Sequence, residues 1–213
     1  MKNKDKEKRV QFFSEDTQRL YQLYGEPATL KISGVPMHRH INMTPLQHAQ
    51  RIVDSVGPHG TVLDTTTGLG YVTIICAQKP EVKKVITIEK DVNVLEIAKH
   101  NPHSAGLFKN NKIESRIADS SDMIGEFKDE QFDTIINDPP TFSIAPDLYT
   151  LKFHLQLFRI LKKGGKIWHY APEPGKLKKE GQKLKERIIR QMNEAGFQNV
   201  RYDENSTGII AQK

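Results

Sequence analysis

The hydrophobic positions change character along the chain. From Thr61 onward, short continuous apolar runs alternate with longer stretches of helical spacing. The runs 61–65, 84–89, 112–118, 132–138, 165–171, 199–204 and 207–212 predict seven strands. The stretches 70–78, 91–100, 120–127, 147–162 and 177–195 predict helices. Central runs such as "TVLDT" and "KVITIE" are apolar on both faces, as a parallel sheet covered by helices on both sides requires. Alternation of this kind predicts a doubly wound α/β fold. The last two strands are too close for a helical crossover and predict a hairpin. The expectation is a seven-stranded, mostly parallel sheet with one antiparallel strand.

Upstream the pattern is different. Residues 1–13 read as a mobile tail. "EDTQRLYQLY" predicts a short helix capped by Ser14 and ended by Gly25. "ATLKISGVPMHRH" predicts a hairpin turning at Ser33-Gly34. Thr44 followed by Pro45 marks a helix start, with apolar Leu46, Ile52 and Val53 and a stop at Gly57. The expected organisation is an extension over 1–43 (tail, short helix, hairpin) and a main domain over 44–213.

Composition narrows the class. With 213 residues, 37% of them hydrophobic and 27% charged, the chain can bury a sizeable core. No apolar stretch approaches the roughly 20 residues of a membrane span. "MKNKDKEKRV" is followed by no apolar segment, so no secretory signal is expected and a cytoplasmic setting is. The one cysteine, Cys76, excludes an internal disulfide and a cysteine-rich metal site; it reads as a small core residue. The net charge of +6 is concentrated: residues 176–190 carry seven Lys/Arg against two Glu, and residues 2–9 carry five against two acids. Two basic segments suit a polyanion such as RNA. A solvated helix face and a charged terminus would account for them equally well.

The chemistry gathers at the strand ends, where open α/β sheets bind ligands. The first strand ends in Asp64, Thr65, Thr66, Thr67, Gly68, Leu69 and Gly70. The second ends in Glu89, Lys90 and Asp91, the third in Asp119, the fourth in Asn137-Asp138-Pro139-Pro140, the fifth in His169 and Tyr170. Buried carboxylates are costly without a partner, so a core does not explain them. Glu89 lies nineteen residues after Gly70 and can accept both hydroxyls of a ribose. A dinucleotide fingerprint needs a third glycine where this chain has Thr73. Asp64 would repel a pyrophosphate but not an ammonium and a sulfonium. The residues favour S-adenosyl-L-methionine over a nicotinamide cofactor.

This segment resembles motif I of the class I (Rossmann-like) S-adenosylmethionine-dependent methyltransferases, with Thr66 where the usual pattern has its first glycine. The resemblance implies that Asp64 and Gly68-Leu69-Gly70 flank the methionine part, that Glu89 holds the ribose and that Asp119 reaches the adenine amine. The implied cofactor set is Asp64, Thr65, Thr66, Gly68, Leu69, Gly70, Glu89, Lys90, Asp119, Ser120 and Asn137.

"IINDPPTFS" is the candidate reactive segment. Asp138 is held extended by the proline that follows, and Pro139 and Pro140 offer carbonyls without N–H groups. A planar amine could donate to Asp138 and to a nearby carbonyl, and Phe142 could stack on a base, a contact worth roughly 1–3 kcal/mol. A rigid turn closing a strand is the competing explanation. The stretch resembles motif IV of amino-group methyltransferases. Its Asp-Pro-Pro-Thr-Phe form is closer to several RNA-base enzymes, some acting on a guanine ring nitrogen. Methylation at a pyrimidine C5 would need a nucleophilic cysteine, and Cys76 lies in the wrong element. With "SGVPMHR" and "HYAPEPGK" added, the chain resembles a group of small archaeal methyltransferases.

The expected catalytic residues are Asp138, Pro139, Pro140 and Phe142; the expected substrate contacts are His169, Tyr170, Lys176 and Lys179. No metal is expected. His38 and His40 face one side of a strand, in a structural or substrate-edge role. Tyr149 and Phe153, at i and i+4, read as core packing. Tyr71 reads as a cofactor contact or as packing at a helix start. Three functions compete: an RNA base N-methyltransferase, a small-molecule methyl- or aminopropyltransferase, and a non-catalytic cofactor-binding scaffold.

Overall fold

The computed structural model describes residues 10–39, 42–172 and 178–213. The chain begins with a four-stranded antiparallel sheet in the order β1-β2-β3-β4: β1 (Gln11–Ser14), β2 (Arg19–Tyr24), β3 (Thr29–Ile32) and β4 (Val35–Pro36). The helix expected over 15–24 is absent; Arg19–Tyr24 is a strand. Leu20, Leu23 and Tyr24 have helical spacing, but tertiary contacts override it. Tyr21 is fully buried, stacks on Phe12 at 5.2 Å and donates to the Asp91 carboxylate far along the chain. Ser14 caps a tight turn, accepting from Thr17 N at 3.4 Å. Gln18 is left-handed, with φ 54°, which a helix does not allow. The hairpin turns at Ser33-Gly34 as expected, pairing Ile32 with Val35.

Helix α1 (Pro45–Val56) starts at Thr44 with a full capping box: Gln47 N donates to Thr44 Oγ1 at 3.1 Å, and Thr44 N to Gln47 Oε1 at 2.9 Å. It stops at the left-handed Gly57. There follow β5 (Gly60–Asp64), α2 (Tyr71–Gln78), β6 (Val82–Glu89), α3 (Val92–Ala98), α4 (Ala105–Lys109), β7 (Ile113–Ile117), α5 (Ser120–Met123), β8 (Phe132–Asn137), α6 (Leu151–Ile160), β9 (Leu161–Tyr170), α7 (Lys178–Glu194), β10 (Gln198–Asp203) and β11 (Gly208–Gln212). The short α4 has no counterpart in the sequence pattern. A single 3-10 turn, Pro146–Tyr149, replaces the expected first turn of α6.

The seven strands order as β10-β11-β9-β8-β5-β6-β7. Only β11 is reversed, antiparallel to both β9 and β10. Successive strand residues face opposite layers. Val62, Ile136, Trp168 and Ile210 join α1, α2, α3 and the N-terminal sheet in one core; Leu63, Ile135, Ile167 and Ile209 join α6 and α7 in the other. The buried Cys76 is part of the first core.

Gly208 lets Trp168 cross β11. A Cβ there would stand 2.2 Å from Trp168 Cε2. Gly208→Ala is therefore expected to cost about 1–3 kcal/mol through overpacking, read as a lower midpoint of thermal or urea unfolding.

The strand order reverses between β5 and β8, the switch point of the sheet. That places the loop after β5 beside the residues that follow β8, and a ligand crevice belongs there.

Candidate active site

Asp64 ends β5 in full burial. One carboxylate oxygen accepts from Thr66 N at 3.2 Å; the other accepts from the hydroxyls of Thr73 and Thr87. Burial raises its pKa to about 6 against those three donors. Asp64 thus orders the loop from beneath. The threonines fasten it on both sides: Thr65 Oγ1 donates to Asn137 Oδ1 at 2.6 Å, Thr66 Oγ1 to the Asp138 carbonyl at 2.6 Å, and Thr67 N to Ile88 O at 2.9 Å. Ser120 Oγ donates to Thr65 O.

Gly68 is left-handed, with φ +55°, and donates its N–H to Glu89 Oε2 at 2.9 Å. Asp91 N donates to the other oxygen, Oε1, at 3.0 Å. A carboxylate oxygen has two acceptor positions, so each keeps one for a ligand hydroxyl. Burial pushes Glu89 to about 7 against those two bonds. Farther out, Lys90 pairs with Asp119, whose other oxygen caps α5 through Ser121 N at 2.8 Å. Burial opposes the charge on Asp119, but Lys90 and the Ser121 donors hold it below the usual carboxylate range.

Of these, residues 64–68, 89–91, 119 and 120 line a crevice of 660 Å³. Among its described residues are seven carboxylates and two basic side chains, Arg19 and Lys90. Such a cavity favours a cationic ligand and disfavours a pyrophosphate. Its roof comes from the N-terminal sheet: Asp16, Thr17, Arg19, Leu30, Ile32, Met37 and His38 all line it.

A family profile for the methyltransferase small domain matches residues 44–196. The chain belongs to that family. It is also similar to "Uncharacterized protein MJ1233" of Methanocaldococcus jannaschii, 41% identical over 189 residues that make up 88% of this chain. The chain spans 64% of that relative's length. Two solved structures share the fold. A spermidine synthase from Thermotoga maritima has a TM-score of 0.73 at 19% identity, over 95% of this chain and 70% of that one. A putative S-adenosyl-L-methionine-dependent methyltransferase from Methanococcus maripaludis has a TM-score of 0.58 at 21% identity, over 79% of this chain and 85% of that one.

The methyl donor of this family is S-adenosyl-L-methionine, and the crevice fits it. Glu89 offers two acceptors to the ribose hydroxyls, Gly68 brings bare backbone to the wall, and the acidic lining suits an ammonium and a sulfonium. When bound, the cofactor supplies an electrophilic methyl group.

The double-proline corner borders this crevice and a second cavity of 450 Å³. The two share six lining residues: Met37, His38, Val72, Asp138, Pro140 and Ile144. That neck is apolar except for His38 and Asp138. The Leu30 N–H donates to His38 Nδ1 at 3.2 Å, so the ring of neutral His38 carries its proton on Nε2. The Asp138 carboxylate receives no hydrogen bond from any described residue; burial, then nearby Asp64, pushes it up to about 7. Tyr149, kept protonated by burial, donates to Pro140 O at 2.8 Å and holds the corner still.

Several expected residues lie elsewhere. Asn137 is fully buried and lines neither cavity; it ties Thr65 to Leu148 O. Leu69 is core, and Gly70 packs at the start of α2 with Leu107 above it. Tyr71 also packs there, donating to Ala28 O at 2.7 Å. Phe142 lines neither cavity: it packs edge-on against Tyr149 at 5.7 Å, under the Arg187 guanidinium at 4.9 Å. His169 is buried, bonded to Tyr170 O at 2.7 Å and to His154 Nε2 at 3.0 Å, and burial lowers it to about 4. It supports Tyr149 from below, at 5.6 Å between rings. Tyr170 does line the second cavity. Lys176 and His40 lie outside the described residues, as does the side chain of Lys179. Among the described residues, no group of three His, Cys, Asp or Glu could hold a metal, and no helix is long and apolar enough to cross a membrane.

Asp16, Arg19 and Asp147 in the crevice, and Arg39 and His48 in the second cavity, went unseen in the sequence. Asp91 had a local signal, since it follows the strand-ending Glu89-Lys90 pair and caps α3. The others reach the site only through tertiary folding.

Three site carboxyls, Asp64, Glu89 and Asp138, titrate above the ordinary range of about 4. The folded protein thus binds more protons than the unfolded chain between about pH 4 and 7, and stability from these groups falls as pH rises through that window. Buried His48, His154 and His169, whose pKa values burial lowers, act in the opposite direction over the same interval, so the carboxyl contribution is read from the effect of the cofactor. Added S-adenosylmethionine should stabilise more at pH 8 than at pH 6, because its cation favours the ionised carboxylates. Thermal scans at both pH values, with and without cofactor, check this.

Proposed function

We propose that this chain methylates a nitrogen of a base in RNA, an exocyclic amine or a ring nitrogen. The observation that carries the reading is the Asp138 carboxylate, without a described donor, at the neck between the two cavities. An acceptor group held there, where Pro139 and Pro140 supply no N–H, calls for an N–H on the ligand. Asp138 orients the acceptor nitrogen toward the neck and takes the proton that the methylated nitrogen sheds. The surrounding Met37, Val72, Pro140 and Ile144 exclude water. Most of the gain comes from positioning. The Asp-Pro-Pro-Thr-Phe form of the corner supports base methylation. Basic α7 supports a polyanionic partner: Lys183 and Arg190 are exposed on it, and it begins shortly after Pro172, which lines the second cavity.

A second reading, aminopropyl transfer to a diamine, is favoured by one observation. The likeness to the spermidine synthase extends over 95% of this chain and so takes in the N-terminal roof. It shows the fold alone. A diamine brings two cations, whereas Asp138 is the one carboxylate among the described residues of the second cavity.

The test is transfer from methyl-labelled S-adenosylmethionine to bulk RNA, beside decarboxylated S-adenosylmethionine with a diamine. Label recovered in a methylated nucleoside supports the proposal. Aminopropyl transfer would replace it, and tight cofactor binding without any transfer would leave a scaffold.

A further inference from the structure

His48 lines the second cavity and not the cofactor crevice, and the transfer described above makes no use of it. It lies on α1 and is 7% exposed, whereas Val35 and Ile144, which line the same cavity, are each 47% exposed. His48 thus belongs to the floor and those two to the mouth. Its Nε2 lies 3.0 Å from Ser206 O and 3.0 Å from Thr207 Oγ1. A carbonyl can only accept. The Thr207 hydroxyl donates its own proton to Ser206 O at 2.7 Å, which leaves a lone pair for the ring. Both partners accept, so Nε2 carries the proton. Burial and the charges of Arg39 and Arg51 lower the pKa of His48 against the bond to Ser206, and the ring is neutral at working pH. Its Nδ1 is therefore a bare acceptor. No described residue donates to Nδ1, yet Nδ1 is not among the fully buried side-chain atoms that lack a partner. It reaches accessible surface, and the surface that His48 borders is the second cavity. Trp168, edge-on at 6.5 Å between ring centres, keeps the ring in place.

We propose that His48 Nδ1 accepts a hydrogen bond from the acceptor nucleoside, from a base N–H or the ribose 2′-hydroxyl, and so helps to select it. The proposal rests on the base-methylation reading. At 450 Å³, the cavity lies within the range that encloses a ligand of nucleoside size. A ligand that fills it displaces water from Nδ1, so a ligand with no hydrogen to offer there leaves a buried acceptor unpaired. A site built to bond an N–H or O–H rejects the analogue that lacks it. Asp138 acts on the nitrogen that receives the methyl group; His48 contributes to which molecule is held there.

Two variants separate binding from structure. Counted in bonds from Cβ, the amide of Gln ends where Nε2 stands and that of Asn where Nδ1 stands. His48→Gln keeps a donor for Ser206 O and has no acceptor at the δ position; His48→Asn has that acceptor and loses the donor. Each protein is loaded with S-adenosylhomocysteine, and calorimetry measures binding of the four ribonucleosides and their 2′-deoxy counterparts. The wild type is expected to bind at least one ribonucleoside. His48→Gln should weaken that binding about tenfold, with cofactor affinity and melting temperature near those of the wild type. His48→Asn should melt lower and yet bind the nucleoside more tightly than His48→Gln. A loss shared by the ribo and deoxy forms puts the donor on the base; a loss confined to the ribo form puts it on the 2′-hydroxyl; either supports the proposal. In methyl transfer to RNA, His48→Gln should raise KM more than it lowers kcat. Nucleoside binding that His48→Gln leaves unchanged, or its absence in the wild type, overturns the proposal. Binding that follows the melting temperature, weaker in His48→Asn than in His48→Gln, would mark a structural role and overturn it as well. If the wild type transfers nothing to RNA but its nucleoside binding depends on His48 in the expected way, base methylation fails while the assignment of His48 stands.

Discussion

Asp138→Ala is expected to lower methyl transfer by roughly 10²–10³-fold while cofactor binding is retained. The carboxylate accepts no bond from a described residue, so its removal disturbs no described network. The same change should raise the melting temperature of the cofactor-free protein at pH 8, because it removes a desolvated charge. Asp138→Asn keeps an acceptor oxygen but cannot take a proton. It should retain more activity than the alanine variant and lose the acid limb near pH 7 that wild-type kcat/KM should show. Single-turnover rates, calorimetric cofactor affinity and thermal scans read the three effects separately. If turnover and cofactor binding disappeared together, Asp138 would belong to the cofactor half of the site.

Glu89→Ala is expected to weaken S-adenosylmethionine binding by about 100-fold or more, since a hydrogen bond to a charged group is worth about 1.5–3 kcal/mol and at least two are lost. The residue has two duties. It accepts the N–H of Gly68 and of Asp91, which sets the glycine loop against α3, and it keeps one position on each oxygen for a ribose hydroxyl. Glu89→Gln should be intermediate, because one of its two ends becomes a donor facing a backbone N–H. Rates at saturating cofactor should fall less than affinity, since Glu89 lines the cofactor crevice and not the second cavity. An unchanged dissociation constant in Glu89→Ala would move the ribose elsewhere.

The acids at the strand ends were readable in advance because each is tied to a local pattern. Asp64 closes an apolar run before a glycine loop, and Glu89 closes the next run at a fixed distance. Asp138 precedes two prolines after a third. The structure brings these three to the rim of one crevice. Phe142 and His169 were readable as residue types but not as positions. Phe142 follows a proline pair, and its position depends on Tyr149, in the turn that follows, and on Arg187, distant in sequence. His169 alternates with Tyr170 on β9, and only packing against His154 decides that it faces inward and Tyr170 lines the cavity.

By itself, the amino-acid sequence determined the sheet with its single reversed strand, the α1 cap and stop, and the carboxylates at the ends of β5, β6 and β8. These follow from short-range rules: hydrophobic period, capping chemistry and proline stereochemistry. Only the tertiary structure decided that Arg19–Tyr24 is a strand, that the N-terminal sheet roofs the crevice and that Arg39 and Asp138 share a second cavity. In each of these cases the deciding contact joins segments far apart in the chain, such as Tyr21 with Asp91, and no local pattern encodes its energy.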